Sequence, residues 1–379
     1  MRVLHLYSGN LWGGIEAMLV TLAAQRDAAP EMRPVFALAF PGRLADALRA
    51  AGAEVHVLAD GGVRLSRPWT VWRARRRLRA LLASSPVDVA VAHAPWTMAV
   101  FGRAVRRAGV PLAFYAHDAA GAGDRVETAA RGERPDGVIA NSAFTGATVD
   151  ALYPGAAVHV VHPPVSAPPP VAAGERGRIR RELQTGGDDV VIVQVGRMEA
   201  WKGQVRLLQA LATLADVPGW ACWIVGGAQR PAEGEYALSL QSLAASLGIA
   251  HRVRFTGHRD DVHRALAAAD VACQPNAAPE PFGVAIVQAL HAGLPVVATA
   301  SGGALEIVTA ECGILVPHGD VDALARALRL LVGDADARHR LGSAGPARAQ
   351  AVSDPGVQLR SLASTLDSIR AGVHATAAR

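Results

Sequence analysis

The chain has 379 residues, 51% of them hydrophobic and 19% charged, with a formal net charge of +5. That length and balance suit two or three ordinary globular domains and argue against a disordered chain, and no apolar run reaches the roughly 18 residues of a membrane-spanning helix. The positive charge suggests anionic ligands without choosing among phosphates, anionic lipids and nucleic acid. The opening residues run straight into a strand pattern with no apolar leader, so a cytoplasmic protein is expected.

Short apolar runs alternate with helical-period segments throughout, which is the pattern of parallel strand–helix units. In the first half the runs lie at residues 3–7, 35–40, 54–58, 87–91, 112–115, 137–140 and 158–161. In such sheets ligands bind beyond the carboxyl ends of the strands, so the residues that follow each run carry the information. Here they include Gly13 and Gly14, His93, His117-Asp118 and Asn141-Ser142. Between the third and fourth runs, Arg64, Arg67, Arg73, Arg75, Arg76, Arg77 and Arg79 interleave with Trp69, Val71, Trp72, Leu78, Leu81 and Leu82. This reads as a basic amphipathic helix, either a solvated outer face or a docking surface for an anionic membrane or lipid-linked acceptor. Nucleic acid is not expected, because aromatics total 5% and no recognised binding module is present.

A proline-rich stretch at 162–170 lacks the N–H donors for regular structure and reads as a linker. The second half has runs at 190–195, 220–225, 252–256, 270–274, 295–299 and 313–316. Its strand ends carry Gly196-Arg197, Gly226-Gly227, Gly257-His258-Arg259, Asn276 through Glu280, and Ser301-Gly302-Gly303. Leu359, Leu362, Leu366 and Ile369 mark one face of a final amphipathic helix. Cys222, Cys273 and Cys312 are scattered in apolar stretches and read as reduced core thiols rather than disulfides or metal ligands.

Of the 38 basic residues only Lys202 is a lysine. A compact ammonium on a thin stem does what the planar guanidinium cannot, which singles the position out. It lies five residues beyond Arg197 in a strand–turn–helix segment, where unpaired amides and the helix dipole favour an anion such as a diphosphate. The P-loop pattern is absent. A second segment places Glu280 before Gly283, which opens a helix and lets the amides of Phe282, Gly283 and Val284 approach a phosphate or sugar hydroxyl. Asp334 and Asp336 precede a helical stretch and read as a cap pair rather than a metal site.

Gly196-Arg197 with Lys202-Gly203, Glu280-Pro281-Phe282-Gly283, the run from Ala292 to Thr299, Gly302-Gly303 and the run from Gly313 to Pro317 together resemble family 4 retaining glycosyltransferases. The resemblance is specific across the C-terminal half and looser before it. It implies the α/β GT-B fold, two doubly wound Rossmann-like domains facing a central cleft. The expected layout is an acceptor-side domain at 1–165, the linker and start of the second domain at 166–185, a nucleotide-sugar-binding domain at 186–350, and a helix at 351–379 packing back on the first domain.

The resemblance also implies roles. Arg197 and Lys202 would hold the donor diphosphate, with Gly196 in their turn, and Glu280 with the Phe282 to Val284 amides would hold the sugar. His258 and Arg259 would lie near the nucleobase, Gly13 and Gly14 would close over the phosphates, and His117 would sit beside the reacting sugar. An ordinary imidazole there could help deprotonate the acceptor; a structural histidine is the other reading. Where the family carries a ribose-binding glutamate, this chain has Gln288, which offers one neutral acceptor oxygen and implies a weaker contact. The activity implied is transfer of a hexose-type sugar from a UDP- or GDP-linked donor to a glycan, lipid-linked or small acceptor, with no metal and no cofactor beyond the sugar nucleotide. An epimerase or hydrolase of the same fold, and a non-catalytic sugar-nucleotide-binding protein, are the alternatives.

Overall fold

The computed structural model describes residues 1–121 and 123–377. The chain forms two units, one of Met1–Ser166 together with the C-terminal stretch from Ser353, the other of Ala167–Val352.

The N-terminal unit is built on a seven-stranded parallel sheet: β1 Arg2–Tyr7, β2 Arg33–Leu38, β3 Glu54–Val57, β4 Val89–His93, β5 Leu112–Ala116, β6 Gly137–Ala140 and β7 Val158–Val160, in the spatial order β3-β2-β1-β4-β5-β6-β7. The C-terminal unit has six parallel strands, β8 Val190–Val195, β9 Trp220–Val225, β10 Val253–Gly257, β11 Val271–Gln274, β12 Val296–Thr299 and β13 Gly313–Val316, ordered β10-β9-β8-β11-β12-β13. Every strand pairing is parallel. Helices cover both faces of such sheets, so the central strands are apolar without alternation: all five residues of β4 and all six of β9 are buried. In each sheet the strand order reverses at one place, between β1 and β4 and between β8 and β11. In open parallel sheets of this kind ligands bind at such a reversal, outside the carboxyl ends of the strands.

The chain leaves the first unit through the proline-rich stretch, which has no regular secondary structure. It is nevertheless anchored: Pro163, Pro164 and Val165 are buried, and the Val165 N–H donates to the carbonyl of Ser353, where the chain returns. The returning helix Pro355–Ala377 inserts Leu359, Leu362, Leu366 and Ile369 into the core beside Val3, Phe36 and Tyr115. A 3.6-residue period puts these four on one face, and a remote segment thereby completes one side of the N-terminal sheet.

The arginine-rich segment forms the helix Pro68–Ser84, opened by proline at its first position. Val71, Ala74, Leu78 and Leu82 face inward. The two tryptophans do not: Trp69 and Trp72 are each 55% exposed, next to Leu65 at 49%. Among the described residues no helix is long and apolar enough to cross a membrane. The three cysteines are buried and free.

Candidate functional site

In the C-terminal unit the turn after β8 is held by three buried amides. Gln194 Nε2 donates to the Lys202 carbonyl at 2.7 Å, Gln204 Nε2 to the Arg197 carbonyl at 3.0 Å, and Gln274 Nε2, from β11, to the Val195 carbonyl at 3.0 Å. The turn closes on Gly203 at φ +74°, where a Cβ would lie 2.0 Å from the Pro275 carbonyl oxygen. Only glycine permits both that dihedral and that approach. The Lys202 stem runs past Gly196, close to where a Cβ on that residue would lie.

The Lys202 ammonium lies 2.8 Å from Glu280 Oε2 and 3.9 Å from the centre of the Trp201 ring. Asn276 Nδ2 donates to the same Glu280 oxygen at 2.5 Å. Both charged side chains are largely buried, at 16% and 13% exposure, so the pair is shielded from solvent screening. The Glu280 carbonyl is in turn bonded by the Gly303 N–H. Glu280 therefore joins β8 to β11 and the loop beyond β12. Arg197 is paired with Glu199 at 2.6 Å and with Glu233 at 3.6 Å. Glu199, Glu233 and Trp201 were not singled out by sequence; Glu233 comes from a different helix, and its partner is visible only in three dimensions.

Gly283 precedes the helix Val284–His291 at φ +120°, and Phe282 is buried beneath it. The first intrahelical bonds are made by the Ile286 and Val287 amides to the Gly283 carbonyl, so the dipole end and the amides of Val284 and Ala285 open the helix. Gln288 is half-buried on the same face as Val284 and Ala292, whereas Ile286, Val287, Ala289 and Leu290 point into the core. At the end of β10, His258 is half-exposed beside Asp260. Arg259 is clamped between Asp261 and Glu182, and hydrogen bonding to Asp261 raises its pKa while lowering that of Asp261. That guanidinium is committed to local structure. Asp334 Oδ1 accepts from the Ala337 amide at 2.8 Å, a helix cap, and Asp336 sits in the first turn.

In the N-terminal unit Gly13 caps the helix Gly14–Ala24 directly beyond β1, and Glu16 is buried behind it, accepting from the Tyr7 hydroxyl at 2.9 Å. His117 follows β5. Its carbonyl accepts from Asn141 Nδ2, and its ring stacks on Tyr115 with centres 4.3 Å apart. The ring Nε2 lies 2.8 Å from His93 Nδ1, and His93 Nε2 lies 3.0 Å from His5 Nδ1. Three imidazoles from β1, β4 and the end of β5 thus form one buried line. Desolvation lowers the pKa of His5 and His117 to about 3 and that of His93 well below its usual value. This corrects the expectation of an ordinary imidazole near working pH: His117 is neutral and a much weaker base than a free histidine.

Family models match most of the chain. That of the glycosyl transferases group 1 covers residues 175–348 and that of glycosyltransferase family 4 covers residues 40–167. The lipopolysaccharide core biosynthesis glycosyltransferase LpsE of Rhizobium meliloti is 36% identical over 167 residues, 44% of this chain and 46% of LpsE, less than half the length of that relative. The GDP-mannose-dependent alpha-(1-6)-phosphatidylinositol monomannoside mannosyltransferase of Mycolicibacterium smegmatis is 32% identical over 292 residues, 71% of this chain and 73% of that protein. Among solved structures, Anabaena Alr3699/HepE in complex with UDP and glucose superposes with a TM-score of 0.85 at 26% identity, over 97% of this chain and 100% of that one.

Proposed function

Since the chain belongs to the family 4, group 1 glycosyltransferases of the GT-B fold, we propose that it transfers a hexose-type sugar from a nucleoside diphosphate donor to an acceptor hydroxyl, with retention at the anomeric carbon. The observation that carries this reading is the shielded Lys202–Glu280 pair at the β8/β11 reversal, beside the helix that opens at Gly283. An ammonium and a carboxylate so placed address the two halves of a sugar nucleotide, the diphosphate and the sugar hydroxyls. Anabaena Alr3699/HepE, whose crystal structure is in complex with UDP-glucose, and the GDP-mannose-dependent relative support a UDP- or GDP-linked hexose.

In this mechanism the bond from the anomeric carbon to the diphosphate oxygen breaks as a bond to the acceptor oxygen forms on the same face of the sugar. Lys202, Arg197 and the amides opening the Val284–His291 helix meet the charge that develops on the leaving group, which requires no reorganisation at the moment of reaction. Both cations are paired in the free protein with Glu280, Glu199 and Glu233, so they are held in place before the donor arrives. A neutral, weakly basic His117 is poorly suited to take the acceptor proton, which instead passes to the departing diphosphate oxygen. No step requires a divalent cation. His258 and the backbone of Arg259 contact the nucleobase.

The exposed Leu65, Trp69 and Trp72 among arginines suit an anionic membrane surface, which favours a lipid-linked acceptor and a peripheral, cytoplasmic location. Turnover of a sugar-nucleotide panel with and without excess EDTA tests the reading. Lys202→Ala and Arg197→Ala should each lower affinity for the free nucleoside diphosphate by roughly ten to a hundredfold, from charge-assisted bonds of about 1.5–3 kcal/mol. The Lys202 variant should lie at the upper end, because it leaves Glu280 unpaired against the incoming anion. Unchanged diphosphate affinity in both variants contradicts the assignment.

A further inference from the structure

The two cations of the site are linked through one carboxylate, that of Glu199. Its Oε1 pairs with Arg197 Nη2 at 2.6 Å, and its Oε2 accepts from the Trp201 indole N–H at 3.0 Å. The second bond orients the indole, and the Lys202 ammonium stands 3.9 Å from the centre of that ring. An ammonium has three N–H donors. Glu280 takes one at 2.8 Å and the negative face of the ring attracts a second, which leaves one for an incoming anion. The backbone of the turn is held by other means. The Lys202 carbonyl accepts from Gln194 and the Trp201 carbonyl from the Ala277 N–H at 2.7 Å. The side chains of Glu199 and Trp201 are therefore not what shapes it. All of these residues belong to the C-terminal unit.

We propose that Glu199 and Trp201 are positioning residues that join Arg197 and Lys202 into one anion-binding unit, in which Glu199 holds the guanidinium directly and the ammonium through the indole. A lysine is a point charge on a flexible four-carbon stem. Confined between a ring and a carboxylate, it loses little further freedom when a phosphate arrives, and such preorganisation strengthens binding. Glu233 does not do this work: it stands 3.6 Å from Arg197 and bonds the Gln229 amide instead. The role in binding rests on the reading of Arg197 and Lys202 as holders of the donor diphosphate; the link between the two cations does not.

Lys202 is the sole lysine of the chain, so the full-length protein grown on isotope-labelled lysine gives one set of ε-methylene signals in a carbon–proton correlation spectrum. In the ligand-free parent these protons should lie upfield of the ordinary lysine position, moved by the indole ring current. Trp201→Leu should return them to it, and Glu199→Ala should move them toward it by releasing the ring. Glu199→Gln, whose amide oxygen still accepts from the indole, should keep them in place. Calorimetry with UDP and with GDP reads the consequence. Trp201→Leu should weaken binding about fivefold, the loss expected for a partly shielded cation–ring contact, and should add little once Lys202→Ala is present. A residue that only stabilised the turn would weaken both backgrounds alike, and that result overturns the positioning role. An ordinary lysine signal in the parent, or an unmoved one in Glu199→Ala, overturns the link itself. A shifted signal in a parent that binds neither UDP nor GDP sinks the diphosphate reading and upholds the link.

Discussion

Acidification should weaken the N-terminal unit through its buried histidines. His5 and His117 titrate at about 3 in the folded chain against 6.5 when exposed, because burial disfavours the imidazolium. Between those values the unfolded chain takes up protons that the folded rings refuse, so stability is fully present above the unfolded pKa and falls as pH drops through the window. From about pH 7 to about pH 5 each ring costs about 2 kcal/mol, hence about 4 kcal/mol for the pair, and His93 shifts in the same direction. Against a typical domain stability of about 5–15 kcal/mol that is a large fraction. His5→Phe keeps an aromatic ring against Phe36 and removes one titrating group. Urea unfolding followed by circular dichroism at both pH values gives the loss for each protein, and the variant's should be smaller by about 2 kcal/mol. Equal losses in parent and variant would refute the claim that His5 is neutral because it is buried.

Gln288→Glu should keep the fold and tighten nucleotide binding by on the order of 1 kcal/mol, since a carboxylate can accept from both ribose hydroxyls while its partial burial offsets part of the gain. Discrimination between a nucleotide and its 2′,3′-dideoxy analogue, measured by calorimetry, should rise; no rise would mean that residue 288 does not meet the ribose. Replacing Trp69 and Trp72 together by Ala should leave thermal stability nearly unchanged, because both rings are more than half exposed. The same change should reduce co-sedimentation with anionic phospholipid vesicles, and undiminished pelleting would remove the membrane reading of this helix.

The sequence alone determined the architecture and marked the turn and the loop that carry Lys202 and Glu280. Runs such as 190–195 and 220–225 are apolar end to end because a strand covered on both faces has no solvent side. The turn from Gly196 to Gly203 and the loop from Glu280 to Gly283 were legible because their constraints are local: a lysine in a chain that otherwise uses arginine, and glycines where the backbone must bend or approach. The final helix was legible too, since its four apolar residues keep a single period. What only the tertiary structure decided were pairings between residues remote in sequence. Glu280 meets Lys202 across 78 positions. Arg197 finds Glu233 on a separate helix. Trp69 and Trp72 turn outward because Val71, Ala74, Leu78 and Leu82 form the buried stripe. The histidine line joins residues 88 and 24 positions apart, and no spacing rule marks His5 within a strand of otherwise apolar neighbours. An imidazole's pKa and proton position depend on what surrounds the ring, and here those surroundings come from three strands that the sheet, not the chain order, brings side by side.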